Sequence, residues 1–190
     1  TAFLWRHRFL MAKASKKQDT LSGIIEVDEF FMASSEKGSK HLTNGRKARK
    51  RGGDADKRTK DEQVAILLSI DRSQHIVSKV LAADTALEIE TNFESHITSH
   101  SVLCSDGAWP YVKIAEHKSC DHKRLINGKN RVIGNIYHIQ TVNGTITHFK
   151  SWVIGNMKGI ATKYLPNYLA WFRESNAKYD YQQILVAAYR

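Results

Sequence analysis

The order of apolar patterns along this 190-residue chain predicts an α/β layered domain. Three observations carry that expectation. Strand-like runs rich in β-branched and aromatic residues come first, a mixed stretch follows, and helical spacing fills the last part. Hydrophobic residues are 42% and charged residues 25%, the usage of a chain with a packed core and not of a disordered one. No repeat and no second core-forming block is found, so one domain accounts for the length.

The elements follow in order. Residues 1–14 mix Phe3, Leu4, Phe9 and Leu10 with basic residues at helical spacing, so residues 1–20 read as the helical end of a preceding N-terminal region. Arg6, His7 and Arg8 interrupt any signal-peptide core. The start on Thr1 is that of a fragment or a processed product. Ser22–Met32 (SGIIEVDEFFM) is a strand. Gln63–Ile70 (QVAILLSI) is a nearly continuous apolar run, suited to a strand covered on both faces. The turn Asp71–Gln74 returns the chain as a third strand over His75–Leu81, giving an antiparallel meander. Asp84 or Thr85 caps a helix running to about Thr98. Ser101–Cys104 is a short strand ending at Ser105-Asp106-Gly107, and a helix over Ala108–His117 takes Pro110 in its first turn. Ser119–Leu125 is a further strand and Asn127–Asn130 a turn. From about Asn143 the pattern is helical to the end: Ile146, Phe149 and Val153 form one stripe, and Tyr164–Phe172 another, disturbed early by Pro166. The body is therefore 21–175, with a basic loop over 34–61 and a C-terminal helix over 176–190.

Composition excludes several classes. The longest apolar stretch, around Val64–Ile70, is far short of the roughly 20 residues that span a bilayer. Cys104 and Cys120 are the two cysteines; they make no disulfide framework and no CxxC knuckle, which suits a reducing, cytoplasmic setting. The formal charge of +10 calls for a polyanionic partner, most often nucleic acid. Lys37–Lys60 holds 10 basic and 2 acidic residues, hence +8 of that charge, and Leu42 is its one large apolar residue. It reads either as a solvated loop or as an arm that contacts phosphates.

Two carboxylates stand out. Asp28 lies within an apolar strand, where a charge is costly unless paired or bound to a cation. Alternation puts Glu26 and Asp28 on one face and Val27 and Glu29 on the other. Asp106 follows a strand's C-terminal end, where α/β sheets bind ligands. Brought together, the two would repel, and a hard cation such as magnesium would resolve the repulsion and support phosphodiester chemistry. The alternative is a salt-bridged Asp28 and a turn-forming Asp106. On a helix, Asn143, Thr147 and Lys150 share a face apart from the Ile146 stripe. Asn143 then supplies a metal ligand and Lys150 a phosphate contact, or they are a cap and a solvated lysine. His96 and His100 lack the glutamate of a zinc-protease motif, and Cys104, Cys120, His117 and His122 match no zinc spacing.

Five ordered blocks carry a family resemblance: TAFLWRHRFL at 1–10, LSGIIEVDEFF at 21–31, CSDGAWPY at 104–111, HIQTVNGTITHFKSWV at 138–153 and KGIATKYLPNYLAWF at 158–172. The chain resembles the catalytic domain of bacterial insertion-sequence transposases of the insertion-sequence fifteen-ninety-five family. The resemblance implies an RNase H-like mixed sheet flanked by helices, with C-terminal helices. It implies an acidic triad, here Asp28, Asp106 and Asn143, followed seven residues later by Lys150. It also implies DNA strand cleavage and strand transfer at element ends with Mg²⁺, or Mn²⁺ in its place. The partners implied are double-stranded DNA, as transposon ends and target, and further copies of the chain assembled on that DNA, at the nucleoid. Lys47, Arg49, Lys50, Arg51 and Lys150 would contact the DNA backbone. Two other functions fit the same residues: a DNA-binding remnant without chemistry, and an RNase H-like nuclease that cuts without joining.

Overall fold

A computed structural model describes residues 2–39, 41–42, 63–126 and 129–176. Five strands form one mixed sheet: β1 (Ile24–Ala33), β2 (Gln63–Asp71), β3 (Ile76–Val80), β4 (Val102–Ser105) and β5 (Asp121–Arg124). Their order across the sheet is β3-β2-β1-β4-β5. The first three form the expected antiparallel meander, while β4 pairs parallel to β1 and β5 parallel to β4. Helices α1 (Ala2–Ala14), α2 (Ala86–Phe93), α3 (Trp109–His117), α4 (Gln140–Met157) and α5 (Leu165–Ser175) complete the fold.

Alternation along the strands builds two cores. Phe30, Ile66, Leu68 and Ile70 pack with Val142, Ile146, Phe149 and Val153 of α4, with Leu10 of α1 and with Leu169 and Phe172 of α5. Ile25, Val27, Ala65 and Leu67 face the other way, onto Ile89 and Phe93 of α2 and Tyr111 and Ile114 of α3. Covering both faces explains why β2 reads as an unbroken apolar run. The aromatic Tyr164–Phe172 stretch is largely core: Tyr168 and Phe172 are buried.

Three expectations are corrected. Helix α4 begins at Gln140, so Asn143 lies inside it and is not its cap. The helix after Thr85, which does cap it, ends at Phe93 and tightens into a 3-10 turn over Glu94–His96. Pro166 disturbs nothing, because it falls in the first turn of α5, where its missing N–H is not needed. Lys47, Arg49, Lys50 and Arg51 lie outside the described residues, as does the helix expected over 176–190 beyond Asn176. No helix of the described residues is long and apolar enough to cross a membrane.

Helix α4 is fastened at both ends by residues of β1 or its continuation. At its start, the Glu26 carboxylate accepts the backbone N–H groups of Thr141 (2.8 Å) and Val142 (3.0 Å). At its end, Lys37 Nζ donates to the carbonyls of Met157 (2.8 Å), Lys158 (3.1 Å) and Gly159 (2.8 Å). Each charge opposes the helix dipole at its own end. Lys37→Ala should lower the thermal midpoint by about 1–3 °C, the scale of one exposed helix-end charge. A melting curve in low salt checks this, and the drop should shrink in high salt.

Candidate active site

Register explains how the two aspartates meet. The last printed β1–β4 pair is Glu26 with Cys104. Two residues further on each chain stand Asp28 and Asp106, on the same face of the sheet. Asn143 comes from the end of the first turn of α4, held over this face by Val142 and Ile146 in the core. The three line one cleft of about 470 Å³, together with Leu125, Arg131, Ile139 and Gln140. The three triad residues expected from the sequence are thus brought together.

Asp106 follows β4 in a tight turn. Its Oδ1 accepts the Ala108 N–H at 2.9 Å, and Gly107 adopts φ +89°. A Cβ at Gly107 would come within 2.8 Å of Arg124 Nε, so glycine suits this position on two counts. The turn-forming reading of Asp106 therefore holds, and the turn leaves its carboxylate lining the cleft. The salt-bridged reading of Asp28 does not hold: among the described residues no cation pairs with it, and its one hydrogen bond is from the Glu29 N–H at 2.9 Å.

Burial pushes the Asp28 carboxyl up to about 6. The Glu29 N–H works against that shift, Asp106 adds to it by like-charge repulsion, and Lys150 opposes it. Glu29 points to the other face, where it accepts a hydrogen bond from buried Tyr111; burial raises it to about 7, with Asp28 and Asp106 contributing. A cation bound beside Asp28 would add to the pull of Lys150 and lower the carboxyl again. The side chains lining the cleft that could ligate a cation all offer oxygen: two carboxylates, and the amides of Asn143 and Gln140. Among the described residues no group of three or more His, Cys, Asp or Glu side chains is placed to hold a metal. Magnesium needs fewer, since it is commonly held by one or two carboxylates with waters and phosphate oxygens. The donor set fits it. Cys104, by contrast, is fully buried, and burial lifts its thiol to about 11, which disfavours a thiolate metal site.

Lys150 lies on the expected helix face but does not line the cleft: its Nζ sits 5.2 Å from the centroid of the Phe30 ring, two residues beyond Asp28. Trp109 is exposed, with Lys113 Nζ 4.0 Å from its ring centroid, while Tyr111 is buried.

Several residues that shape the site carry no local sequence signal. Glu26, 1% exposed, forms an ion pair through Oε1 with Arg72 Nη1 at 2.7 Å, and His138 Nδ1 lies 3.2 Å from the same oxygen. Arg72 also donates to Thr141 Oγ1 at 3.1 Å and to the Ile136 carbonyl at 2.9 Å. This network fixes the start of α4, and with it Asn143, against the strand that carries Asp28. An acidic residue on the face of Asp28 was the one available hint.

A family model described as the ISXO2-like transposase domain matches residues 20–173. No curated protein and no solved structure matches the chain. The matched span runs from just before β1 to the last turns of α5 and contains the whole cleft. With its five-stranded mixed sheet flanked by helices, the chain belongs to the ISXO2-like transposase domain family, within the insertion-sequence fifteen-ninety-five transposases, and has their RNase H-like fold.

Proposed function

We propose that the chain cuts DNA strands at the ends of an insertion sequence and joins them to target DNA in a magnesium-dependent reaction. The observation that carries this reading is the meeting of Asp28, Asp106 and Asn143 in one cleft of a transposase domain. Asp28 and Asp106 would hold the cation, with the Asn143 amide oxygen as a further ligand. When bound, magnesium supplies the positive charge that favours an attacking oxygen and steadies a leaving one in phosphodiester exchange. The chain's own residues do the rest. The β1–β4 register sets the carboxylates side by side, the Glu26 network keeps Asn143 over them, and the Ala108 N–H orients Asp106. Leu125 and Ile139 give the cleft apolar surface against which a sugar can rest.

The basic arm supports the DNA reading. Pairing of Ala33 with Gln63 closes its base on the strand that carries Asp28, and Lys37 ties its first residues to the end of α4. Lys47, Arg49, Lys50, Arg51 and Lys150 would hold backbone phosphates and confer affinity with little sequence preference. Replacing 43–60 by a neutral linker should remove most of the salt dependence of DNA binding, read as the slope of log affinity against log salt concentration. An unchanged slope would show that the arm makes no phosphate contacts.

Strand transfer with pre-cut element ends separates this reading from a nuclease. Joined products are expected with Mg²⁺ or Mn²⁺. Cleavage of intact ends without joining of pre-cut ones would favour the nuclease, and neither reaction would favour a binding remnant.

A further inference from the structure

Four of the described cations around the cleft are already engaged. Arg72 is held by Glu26 and Thr141. Arg124 Nη2 donates to the Gly107 carbonyl at 3.3 Å. Lys123 pairs with Asp121 at 2.7 Å. Lys150 rests on the Phe30 ring. Arg131 alone among the described cations lines the cleft with Asp28, Asp106 and Asn143, and it forms no ion pair among the described residues.

Its backbone is braced on either side. The Asn130 N–H donates to the Ile126 carbonyl at 3.0 Å. Ile133 and Tyr137 exchange backbone hydrogen bonds of 2.9 and 3.0 Å, and Arg72 grips the Ile136 carbonyl. An exposed arginine is thereby presented to the cleft from a connection with its own hydrogen bonds. A guanidinium offers paired donors that match two phosphate oxygens, whereas two carboxylates by themselves repel a phosphodiester.

We propose that Arg131 is the phosphate-holding residue of the cleft, gripping the non-bridging oxygens of the phosphodiester on which the site acts. This rests on the reading of the cleft as a strand-transfer site, and it assigns the phosphate inside the cleft to a residue of the β5–α4 connection, Lys150 lying outside the cleft lining.

The test uses the full chain and thymidylyl-thymidine, which has a single charged phosphodiester, beside its uncharged methylphosphonate analogue. Binding is followed by NMR titration with and without Mg²⁺. Arg131→Gln should weaken binding of the charged dinucleotide roughly tenfold or more, the scale of a charge-assisted hydrogen bond, and leave the neutral analogue unaffected. Arg131→Lys, which keeps the charge and loses the fork, should fall between. Equal binding of the charged dinucleotide by wild type and Arg131→Gln overturns the proposal, as does an equal loss for both dinucleotides or no binding by wild type. The metal reading is judged separately in the same titrations: binding by wild type that ignores Mg²⁺ counts against it and leaves the Arg131 comparison standing.

Discussion

Asp28→Asn is expected to abolish strand cleavage and, at the same time, to make the metal-free protein more stable at neutral pH. The two effects share one cause. In the folded chain the Asp28 carboxyl is raised from 3.8 to about 6, chiefly by burial. A raised carboxyl contributes its stability when protonated, so that contribution is complete below about pH 4 and is lost as pH rises through 6. Above that pH the ionised group destabilises the fold. A shift of this size corresponds to about 3 kcal/mol at full weight, and partial exposure of the side chain reduces it to roughly 1–2 kcal/mol. The neutral amide avoids this cost, and its carbonyl can still accept the Glu29 N–H. The expected gain is about 3–6 °C in thermal midpoint at pH 7.5, disappearing near pH 4. Cleavage should fall by roughly a thousandfold or more, since several kcal/mol of transition-state stabilisation depend on the cation that Asp28 would hold. Magnesium should raise the wild-type midpoint and do little for Asp28→Asn. Melting curves across pH, with and without Mg²⁺, check all of this. A destabilised Asp28→Asn would mean that the carboxylate is a structural member of the fold.

Glu26→Ala should be the most destabilising single change near the site, by about 3 kcal/mol. The carboxylate is buried, accepts two backbone N–H groups at the start of α4 and pairs with Arg72. Its removal leaves those donors unpaired and strands a guanidinium that is itself only partly exposed. Arg72 can turn to solvent, which keeps the loss near the lower end for a buried pair. Glu26→Gln retains an acceptor for the helix amides but loses the charge, and should cost about half as much. Denaturant unfolding measures both. A loss below about 1 kcal/mol in Glu26→Ala would mean that α4 is held by its apolar stripe alone.

The strands were legible because β1 and β2 announce themselves by residue type, and period-two alternation places Glu26 with Asp28 without any knowledge of the fold. Convergence of Asp28 with Asp106 was legible only in part: Asp106 follows the C-terminal end of its strand, where open sheets bind ligands, but Asp28 lies mid-strand and the β1–β4 register that aligns the two has no local signal. The start of α4 was not. Ile139 offers no side-chain cap, because the cap comes from Glu26, more than a hundred residues earlier. Sequence-local capping rules cannot see such a partner, so the helix was expected to begin at Asn143. Periodicity gave the correct face for Lys150 and could not tell that its ammonium settles on Phe30. Arg131 sits in a connection without any periodic pattern, and only its place in the cleft distinguishes it from other surface arginines.

Asp28, Asp106 and Asn143 are proposed to form one metal-dependent phosphodiester site. Its most direct test is cleavage of the element's own ends by the full-length protein, wild type beside Asp106→Ala, with Mg²⁺ and with chelator. Asp106 is chosen because its side chain lies outside both cores and its loss should leave the fold intact. The expected result is cleavage by wild type with Mg²⁺, none with chelator, and none by a folded Asp106→Ala. Wild-type rates in Asp106→Ala, or cleavage that persists in chelator, would contradict the claim.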